Sequence, residues 1–402
     1  MNITIEPGAS ALLDALHRAG FAAYAVGGCV RDSLLGLAPH DWDLCTAARP
    51  EQVMELFGEK QCIPTGLQHG TVTVKRDGRL YEITTFRTEG SYSDGRHPDS
   101  VAFVPDVRED LARRDFTINA MAYSAEEGLC DPFGGQEDLA RGVVRAVGDP
   151  LRRFEEDALR ILRLYRFAAR FGFVIDEATE AAAKQLAAHL DCVSVERIEE
   201  ELNKLLSAPK PGAYLEPEVL AFVLPELPLD YLSEAREIID ALPAGGEEVT
   251  TRWAALLLPL GEDGTRKALK RLKCSNAVID GVATLVKEKA PRTLPSTLQA
   301  KRLLGKYDLH TVQQLTALWS ALQPERKDEF TVLQKEAETL TAQNACCRVS
   351  QLAVNGRDLM AAGAPGPGLR RALEALLEEV ITGRLPNEKA ELLAFAAKFS
   401  AS

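Results

Sequence analysis

The chain has 402 residues, of which 46% are apolar and 26% charged, and its formal net charge is −12. This length predicts more than one packed domain, and the composition indicates a globular rather than a disordered protein. The acidic surplus excludes affinity for nucleic acid over the whole surface, because phosphate binding needs a locally positive patch. We expect a cytoplasmic protein, since no apolar run is long enough to span a membrane and residues 1–20 lack a signal-peptide layout.

The cysteines indicate the redox state of the chain, and the basic residues indicate where phosphate could bind. The eight cysteines include no C-x-x-C pair and have no histidines at zinc spacing, so we expect reduced thiols. Residues 141–170 form a basic segment that could meet phosphate, with these arginines: Arg141, Arg145, Arg152, Arg153, Arg160, Arg163, Arg166 and Arg170. A second basic segment, residues 265–273, is equally well explained as a solvated helix face.

Secondary-structure signals change near the middle of the chain. Up to about residue 145, clusters of apolar and β-branched residues alternate with Gly, Asp and Pro, which predicts an α/β domain. From about Leu151 onward, apolar residues recur at helical spacing and strand signals almost vanish. Pro and Gly clusters predict breaks between helices at residues 205–217, 242–248, 289–296 and 361–368.

The segment FAAYAVGGCVRDSLLGLAPHDWDLCT, residues 21–46, predicts a strand, a Gly-Gly turn, a short helix, a loop and a second strand. Within that second strand, Asp41 and Asp43 would share one face while Trp42 packs on the other. Two carboxylates on one face repel each other unless a cation lies between them, and Mg²⁺ prefers such oxygen ligands. On its own, however, this pair is better explained as the polar edge of a strand.

The Gly-Gly turn favours the metal interpretation. Gly27 and Gly28 let the backbone approach a ligand closely and offer N–H groups to phosphate oxygens. Arg31 can add a charge-assisted hydrogen bond to the same phosphates. A glycine turn, an arginine and two aspartates within this short span together predict a site for a triphosphate and a metal.

This segment resembles the head motif of class II tRNA nucleotidyltransferases, which are the CCA-adding enzymes, and of the related bacterial poly(A) polymerases. Further motifs of that family follow in order: TGLQHGTVTV (65–74), YEITTFR (81–87), RRDFTINAMAY (113–123), DPFGG (131–135), EEDALRILRLYRFAARFGF (155–173) and SVERIEEELNKLL (194–206). Residues 355–393 resemble the tail of the shorter bacterial members, whereas residues 215–345 match only loosely. The resemblance implies an α+β fold, with an N-terminal nucleotidyltransferase head of the polymerase β type followed by an all-helical neck, body and tail.

The resemblance also implies roles for individual residues. Asp41 and Asp43 would be catalytic and carry two Mg²⁺ ions, and Gly28 and Arg31 would hold the nucleotide phosphates. The other nucleotide-binding residues that it implies are Arg114, Asp157, Arg160, Arg163 and Arg166, of which we expect Arg163 to make contact more directly than Arg166. Our candidate for a third carboxylate is Glu82. Asp115 and Asn119 could fix the ribose side, although the FTINAMAY segment is also explained as a buried helix.

Asp157 and Arg160 offer a chemical means of choosing the base. If both lie on one helix, their spacing places them on the same face. Cytosine and adenine present an amino donor beside a ring-nitrogen acceptor, whereas uracil and guanine present a carbonyl where that amino group would be. A carboxylate and a guanidinium together could therefore accept C and A and refuse U and G. The alternative is an ordinary surface salt bridge of little energetic value.

Residues 85–104 resemble the flexible loop of the family's CCA-adding and A-adding members, which its CC-adding members lack. We therefore expect a CCA-adding enzyme that uses CTP and ATP on tRNA, with an A-adding enzyme or poly(A) polymerase as the alternative. The predicted domains are a catalytic head (1–145), a neck with the base-reading motif (146–210), a body (211–295) and a tRNA-binding tail (296–402). The sequence does not show the oligomeric state and leaves a homodimer open.

Overall fold

A computed structural model describes residues 3–90, 100–246, 248–362 and 368–399. The chain divides into two compact units, the first running up to Leu232 and including Arg271–Lys273, and the second comprising the remainder. No helix within the described ranges is long and apolar enough to cross a membrane. The predicted boundaries at residues 145, 210 and 295 stay predictions.

The first unit contains a mixed seven-stranded sheet with the order β3-β4-β5-β2-β1-β8-β9. Strands β2 and β5 are parallel, and the other neighbouring strands in this sheet are antiparallel. The strands along the chain are β1 (Ala23–Val26), β2 (Leu44–Thr46), β3 (Cys62–Gly66), β4 (Thr71–Arg76), β5 (Arg79–Thr85), β6 (Arg87–Glu89), β7 (Val101–Phe103), β8 (Ala122–Ser124), β9 (Gly128–Cys130), β10 (Val143–Val144) and β11 (Val174–Ile175). The two pairs β6–β7 and β10–β11 lie outside the large sheet.

Apolar side chains from the central strands form the core of this sheet. All four residues of β1 are buried, and Tyr24 and Val26 pack with Phe86, Leu111 and Ala122 in one cluster. Burial of such apolar surface is the main free energy that holds the layers together. The core therefore fixes the C-terminal end of β1, from which the Gly-Gly turn begins.

Helices cover the sheet and then continue the first unit. They are α1 (Pro7–Arg18), α2 (Gly28–Leu34), α3 (Pro50–Phe57), α4 (Val107–Ala112), α5 (Gly135–Arg141), α6 (Pro150–Glu156), α7 (Leu159–Phe171), α8 (Glu177–Gln185), α9 (Val195–Leu206) and α10 (Pro217–Val223). Helix α7 ends at Gly172, which has φ +67° in the left-handed region that glycine adopts without a steric penalty. Helices α7 and α9 pack against each other.

The rest of the chain is helical, as expected. The helices are α11 (Leu232–Ala241), α12 (Val249–Leu257), α13 (Gly261–Arg271), α14 (Asn276–Lys287), α15 (Thr297–Lys306), α16 (Leu309–Leu322), α17 (Lys327–Ala342), α18 (Gly356–Ala361), α19 (Leu369–Ile381) and α20 (Lys389–Phe399). The described parts of the predicted Pro and Gly breaks fall between consecutive α-helices or at their ends, and residues 247 and 363–367 lie outside the described residues. Helix α15 starts with a capping box between Ser296 and Gln299, which satisfies backbone N–H groups at the helix start. The predicted α+β fold class is confirmed.

Two details differ from the sequence predictions. The FTINAMAY segment is not a helix: a 3₁₀ turn at Thr117–Asn119 leads directly into β8. Its β-branched and aromatic residues suit the sheet, where β8 pairs with β1. The helical half also keeps one short strand, β11, which pairs in parallel with β10. All eight cysteines are free thiols, in agreement with the prediction.

Candidate active site

The Gly-Gly turn joins β1 to α2 as predicted. Gly27 has φ +77° and ψ −121°, a conformation that residues with a side chain rarely adopt. Its N–H donates to the carbonyl of Met121 at 3.0 Å, and an added Cβ would lie 2.8 Å from Nη1 of Arg114. Gly27 is therefore needed both for the turn and for the approach of Arg114. Gly28 is the first residue of α2.

Asp41 and Asp43 lie immediately before β2 rather than within it, so the strand assignment for this pair was wrong. Backbone hydrogen bonding to β1 begins at Asp43, whose carbonyl accepts from the N–H of Val26 at 2.9 Å. Both carboxylates are nevertheless exposed while Trp42 between them is buried, so the predicted alternation of faces holds. Asp41 contacts the exposed His40, with Nδ1 and Oδ2 3.1 Å apart.

Negative charge accumulates around Asp43. Leu44 and Ile83 are register partners of the parallel strands β2 and β5, so the preceding residues, Asp43 and Glu82, are neighbours. Desolvation by the surrounding protein raises the pKa of Asp43; the charges of Glu82 and Asp41 raise it further, and Arg114 lowers it. A divalent cation would offset this repulsion, and carboxylate oxygens are suitable ligands for it.

Within the described ranges, no three His, Cys, Asp or Glu side chains converge closely enough to hold a metal ion by themselves. Two exposed carboxylates fit a metal whose remaining ligands come from the substrate and water. Mg²⁺ usually binds in this way, keeping several waters and taking few protein carboxylates together with substrate phosphates. The role of Glu82 as a third carboxylate stays a prediction.

Arg31 is almost fully buried and belongs to a chain of hydrogen bonds. Its guanidinium donates to Oδ1 of Asp32 at 2.8 Å and to Oδ1 of Asn119. Asn119 donates to Oδ1 of Asp115 at 3.0 Å, and Arg163 donates to Oδ2 of the same aspartate at 2.9 and 2.6 Å. One continuous network therefore links Arg31 on α2 to Arg163 on α7.

Asp115 is the ionised centre of that network. Burial would raise its pKa, but the charge of Arg163 and hydrogen bonds from Asn119 and Arg163 hold the pKa well below its usual range. Asp115 and Asn119 are both buried between the two arginines. Their expected role on the ribose side stays a prediction.

Arg114 lies between the glycine turn and the buried Asp110. Its Nη2 is 3.4 Å from Oδ2 of Asp110, and Oδ1 of the same aspartate accepts from Nε of Arg113 at 3.0 Å. The side chain of Arg114 is 21% exposed, and its Nη1 lies beside Gly27. Arg114 can therefore still donate to a ligand near Gly27.

Asp157 and Arg160 are not on one helix, which corrects the sequence prediction. Helix α6 ends at Glu156, and Asp157 has extended dihedral angles before α7 begins at Leu159. Asp157 stands one residue before the N-cap Ala158, and its Oδ1 accepts from the N–H of Leu159 at 3.1 Å. The two side chains form no salt bridge with each other, so the surface-pair alternative was wrong as well.

Each of these two residues has a different partner. Oδ2 of Asp157 is 2.8 Å from Nη2 of Arg197 on α9. Nη1 of Arg160 donates to Oε2 of Glu156 at 2.7 Å and to the carbonyl of Arg153 at 3.0 Å, and Nη2 donates to the carbonyl of Arg113 at 3.1 Å. The protein thus holds the proposed acceptor and the proposed donor in separate, fixed positions.

Arg163 and Arg166 differ in accessibility. The side chain of Arg163 is 34% exposed, whereas that of Arg166 is only 10% exposed and pairs with Glu201, with Nε and Oε2 2.6 Å apart. Burial lowers the pKa of Arg166 to about 10. This difference supports the expectation that Arg163 contacts a nucleotide more directly.

Sequence reasoning missed the partners Arg197, Glu156 and Glu201. For Glu201 a signal existed: it lies among Ile198, Leu202 and Leu205 on the apolar face of α9, where an unpaired carboxylate would be costly. Arg197 carried no comparable signal, because nothing in the local pattern shows that it reaches Asp157, which lies 40 residues earlier in the chain.

Three protein families match successive parts of the chain. Residues 23–145 match the family described as "Poly A polymerase head domain". Residues 172–228 match "Probable RNA and SrmB- binding site of polymerase A", and residues 246–396 match "tRNA nucleotidyltransferase domain 2 putative". The first match contains Gly28, Arg31, Asp41, Asp43 and Arg114.

Relatives match almost the whole chain. A CCA-adding enzyme of Limosilactobacillus fermentum is 38% identical, with 98% of this chain and 96% of that enzyme covered. One of Latilactobacillus sakei is 39% identical, with 95% of each covered. The crystal structure of the Bacillus stearothermophilus CCA-adding enzyme in complex with CTP superposes with a TM-score of 0.81 at 33% identity and covers 99% of this chain and 98% of its own. This protein therefore belongs to the class II tRNA nucleotidyltransferase family.

Proposed function

We propose that this enzyme adds C, C and A to the 3′ end of tRNA, using CTP and ATP and releasing pyrophosphate, without a nucleic-acid template. The observation that carries the proposal is the similarity to CCA-adding enzymes over nearly the full chain. The first unit supports it, because it contains an exposed carboxylate pair, a glycine turn and several arginines, two of which, Arg31 and Arg163, belong to one hydrogen-bond network.

Asp41 and Asp43 would hold the metal, and the family implies dependence on a divalent ion. We propose Mg²⁺, since the donors are hard carboxylate oxygens. When bound, such ions favour the deprotonated form of the attacking 3′-hydroxyl and neutralise charge on the leaving pyrophosphate. The chain itself would orient the triphosphate through the backbone N–H of Gly28 and the guanidinium of Arg114, whose Nη1 lies beside Gly27.

The base would be read by Asp157 and Arg160. Asp157 keeps carboxylate lone pairs for an amino group of C or A, although Arg197 and the N–H of Leu159 already occupy part of its capacity. The three hydrogen bonds of Arg160 leave further guanidinium N–H donors for a ring nitrogen. A base with a carbonyl in place of the amino group would face the carboxylate and lose about 1 to 3 kcal/mol for each unpaired group.

The decisive experiment offers the purified protein tRNAs that end at the discriminator base, at C or at CC. Each is incubated with CTP, ATP or both, and the new ends are sequenced. Complete CCA on the shortest tRNA is expected. Addition of A alone to the CC end would indicate an A-adding enzyme, and long A tails a poly(A) polymerase.

Asp41→Ala and Asp43→Ala should each abolish addition at every step while leaving the thermal unfolding midpoint nearly unchanged, because both side chains are exposed. Glu51→Ala, an exposed acidic residue in the first turn of α3, is a matched control that should keep activity. Activity retained in both aspartate variants would contradict the metal assignment.

The expected partners are tRNA, CTP and ATP, with no membrane, and the expected location is the cytoplasm. Helices α15 to α20 correspond to the predicted tRNA-binding tail, which would recognise tRNA through shape and phosphates rather than sequence. The homodimer left open by the sequence stays a prediction.

A further inference from the structure

Three arginines of the proposed nucleotide pocket surround one aromatic ring. The guanidinium carbons of Arg166, Arg31 and Arg163 lie 3.9, 5.2 and 5.4 Å from the centroid of the Phe167 ring. The ring is almost fully buried in α7, and Phe116 packs edge-on against it at 5.8 Å. Arginines from two different helices therefore converge on one phenyl group.

A second ring extends this arrangement. Phe171 lies parallel to Phe167, with centroids 6.3 Å apart, and has Arg31 and Arg170 each 5.0 Å from its own centroid. We refer to Phe167 and Phe171 as the aromatic pair. Arg31 contacts both rings, whereas Arg163 contacts only Phe167 among the described aromatic residues.

Like charges at such distances repel, and carboxylates offset only part of that repulsion. Asp32 pairs with Arg31 and Arg170, Asp115 with Arg163, and Glu201 with Arg166. These four arginines thus share three carboxylates. The negative face of an aromatic ring attracts guanidinium groups, and this attraction strengthens when water is excluded.

We propose that Phe167 is a positioning residue for nucleotide binding, holding Arg31 of the phosphate side and Arg163 of the base side in fixed relation. This inference rests on the proposed function. Phe167 is buried, so it would act through these arginines rather than by contact with the substrate. Its ring provides a common surface that keeps the guanidinium groups apart from one another and aimed at a ligand that carries several negative charges.

Leucine in place of Phe167 removes the charged ring face while keeping an apolar side chain, whereas tyrosine keeps the ring. We expect Phe167→Leu to weaken equilibrium binding of both CTP and ATP by roughly tenfold, with their ratio little changed, since both nucleotides use the same arginines. Phe167→Tyr should restore binding to within about threefold of the wild type. Phe330→Leu is a matched control, because Phe330 is fully buried in α17, has Arg326 5.0 Å from its ring centroid, and is not among the residues of the proposed nucleotide site.

Nucleotide binding is measured by titration calorimetry with CTP and ATP, beside urea unfolding of every variant. The inference is overturned if Phe167→Leu binds nucleotides as the wild type does, or if Phe330→Leu weakens binding as much. If Phe167→Leu does not fold, Phe171→Leu decides, because Phe171 is only partly buried and contacts Arg31: about threefold weaker binding is expected, and unchanged binding refutes the proposal. Addition of CCA by the wild type is assayed separately, so a failure of the proposed function is seen independently.

Discussion

Replacing Gly27 by alanine tests the approach of Arg114 to the glycine turn. The φ of +77° makes any side chain strained, at a cost of about 1 to 3 kcal/mol. The new Cβ would also lie 2.8 Å from Nη1 of Arg114, so the guanidinium must move. If Arg114 then loses one charge-assisted hydrogen bond to a phosphate, nucleotide binding weakens by about 1.5 to 3 kcal/mol, which is roughly tenfold to a hundredfold.

Gly20→Ala separates the two effects. Gly20 has φ +86°, and nothing lies within 4 Å of its would-be Cβ, so this variant carries backbone strain without displacing a side chain. Both variants should lower the unfolding temperature by several degrees, measured by calorimetry. Only Gly27→Ala should raise KM for CTP and ATP in a primer-extension assay, and adding Arg114→Ala to it should cause little further loss. Equal KM values in the two glycine variants would refute the reasoning.

Two further results are expected. Arg197→Ala removes the partner that holds Asp157, with Nη2 and Oδ2 2.8 Å apart. Misincorporation of UTP and GTP should then rise roughly tenfold, because the carboxylate that accepts from the base becomes mobile. Unchanged fidelity would contradict a base-reading role for Asp157. Binding of tRNA should weaken steeply with salt, and Arg152→Ala, an exposed arginine in the basic segment, should reduce the slope of log affinity against log salt by about one. If the affinity for tRNA did not change with salt concentration, the basic segment would not bind the tRNA phosphates.

Local patterns predicted most of the fold. Pro and Gly clusters located the helix breaks, because proline and glycine disfavour helix interiors wherever they occur. The order of strand, glycine turn, short helix and strand around Asp41 and Asp43 was also confirmed, since each step depends on nearby residues. The motif from Phe116 to Tyr123 was misassigned as a helix because its pairing partner, β1, lies far away in sequence.

Long-range ion pairs could not be predicted. The eight arginines of residues 141–170 suggested one positive patch, but Arg166 pairs with Glu201, Arg170 with Asp32 and Arg145 with Asp138. The exposed positive charge of this segment is therefore much smaller than its eight arginines imply. Likewise, a three-residue spacing implied that Asp157 and Arg160 share a helix face. In the structure Asp157 lies before the start of α7, and each residue has a separate partner.

In the proposed function, amino-acid side chains select C and A without a nucleic-acid template. The most direct measurement gives the wild-type enzyme a tRNA without its terminal nucleotides, together with equal concentrations of ATP, CTP, GTP and UTP, and sequences the products. We expect CCA ends, with U or G in fewer than about one in a hundred products, because each wrong base would leave two groups unpaired. Frequent U or G, or ends that consist only of A, would contradict it.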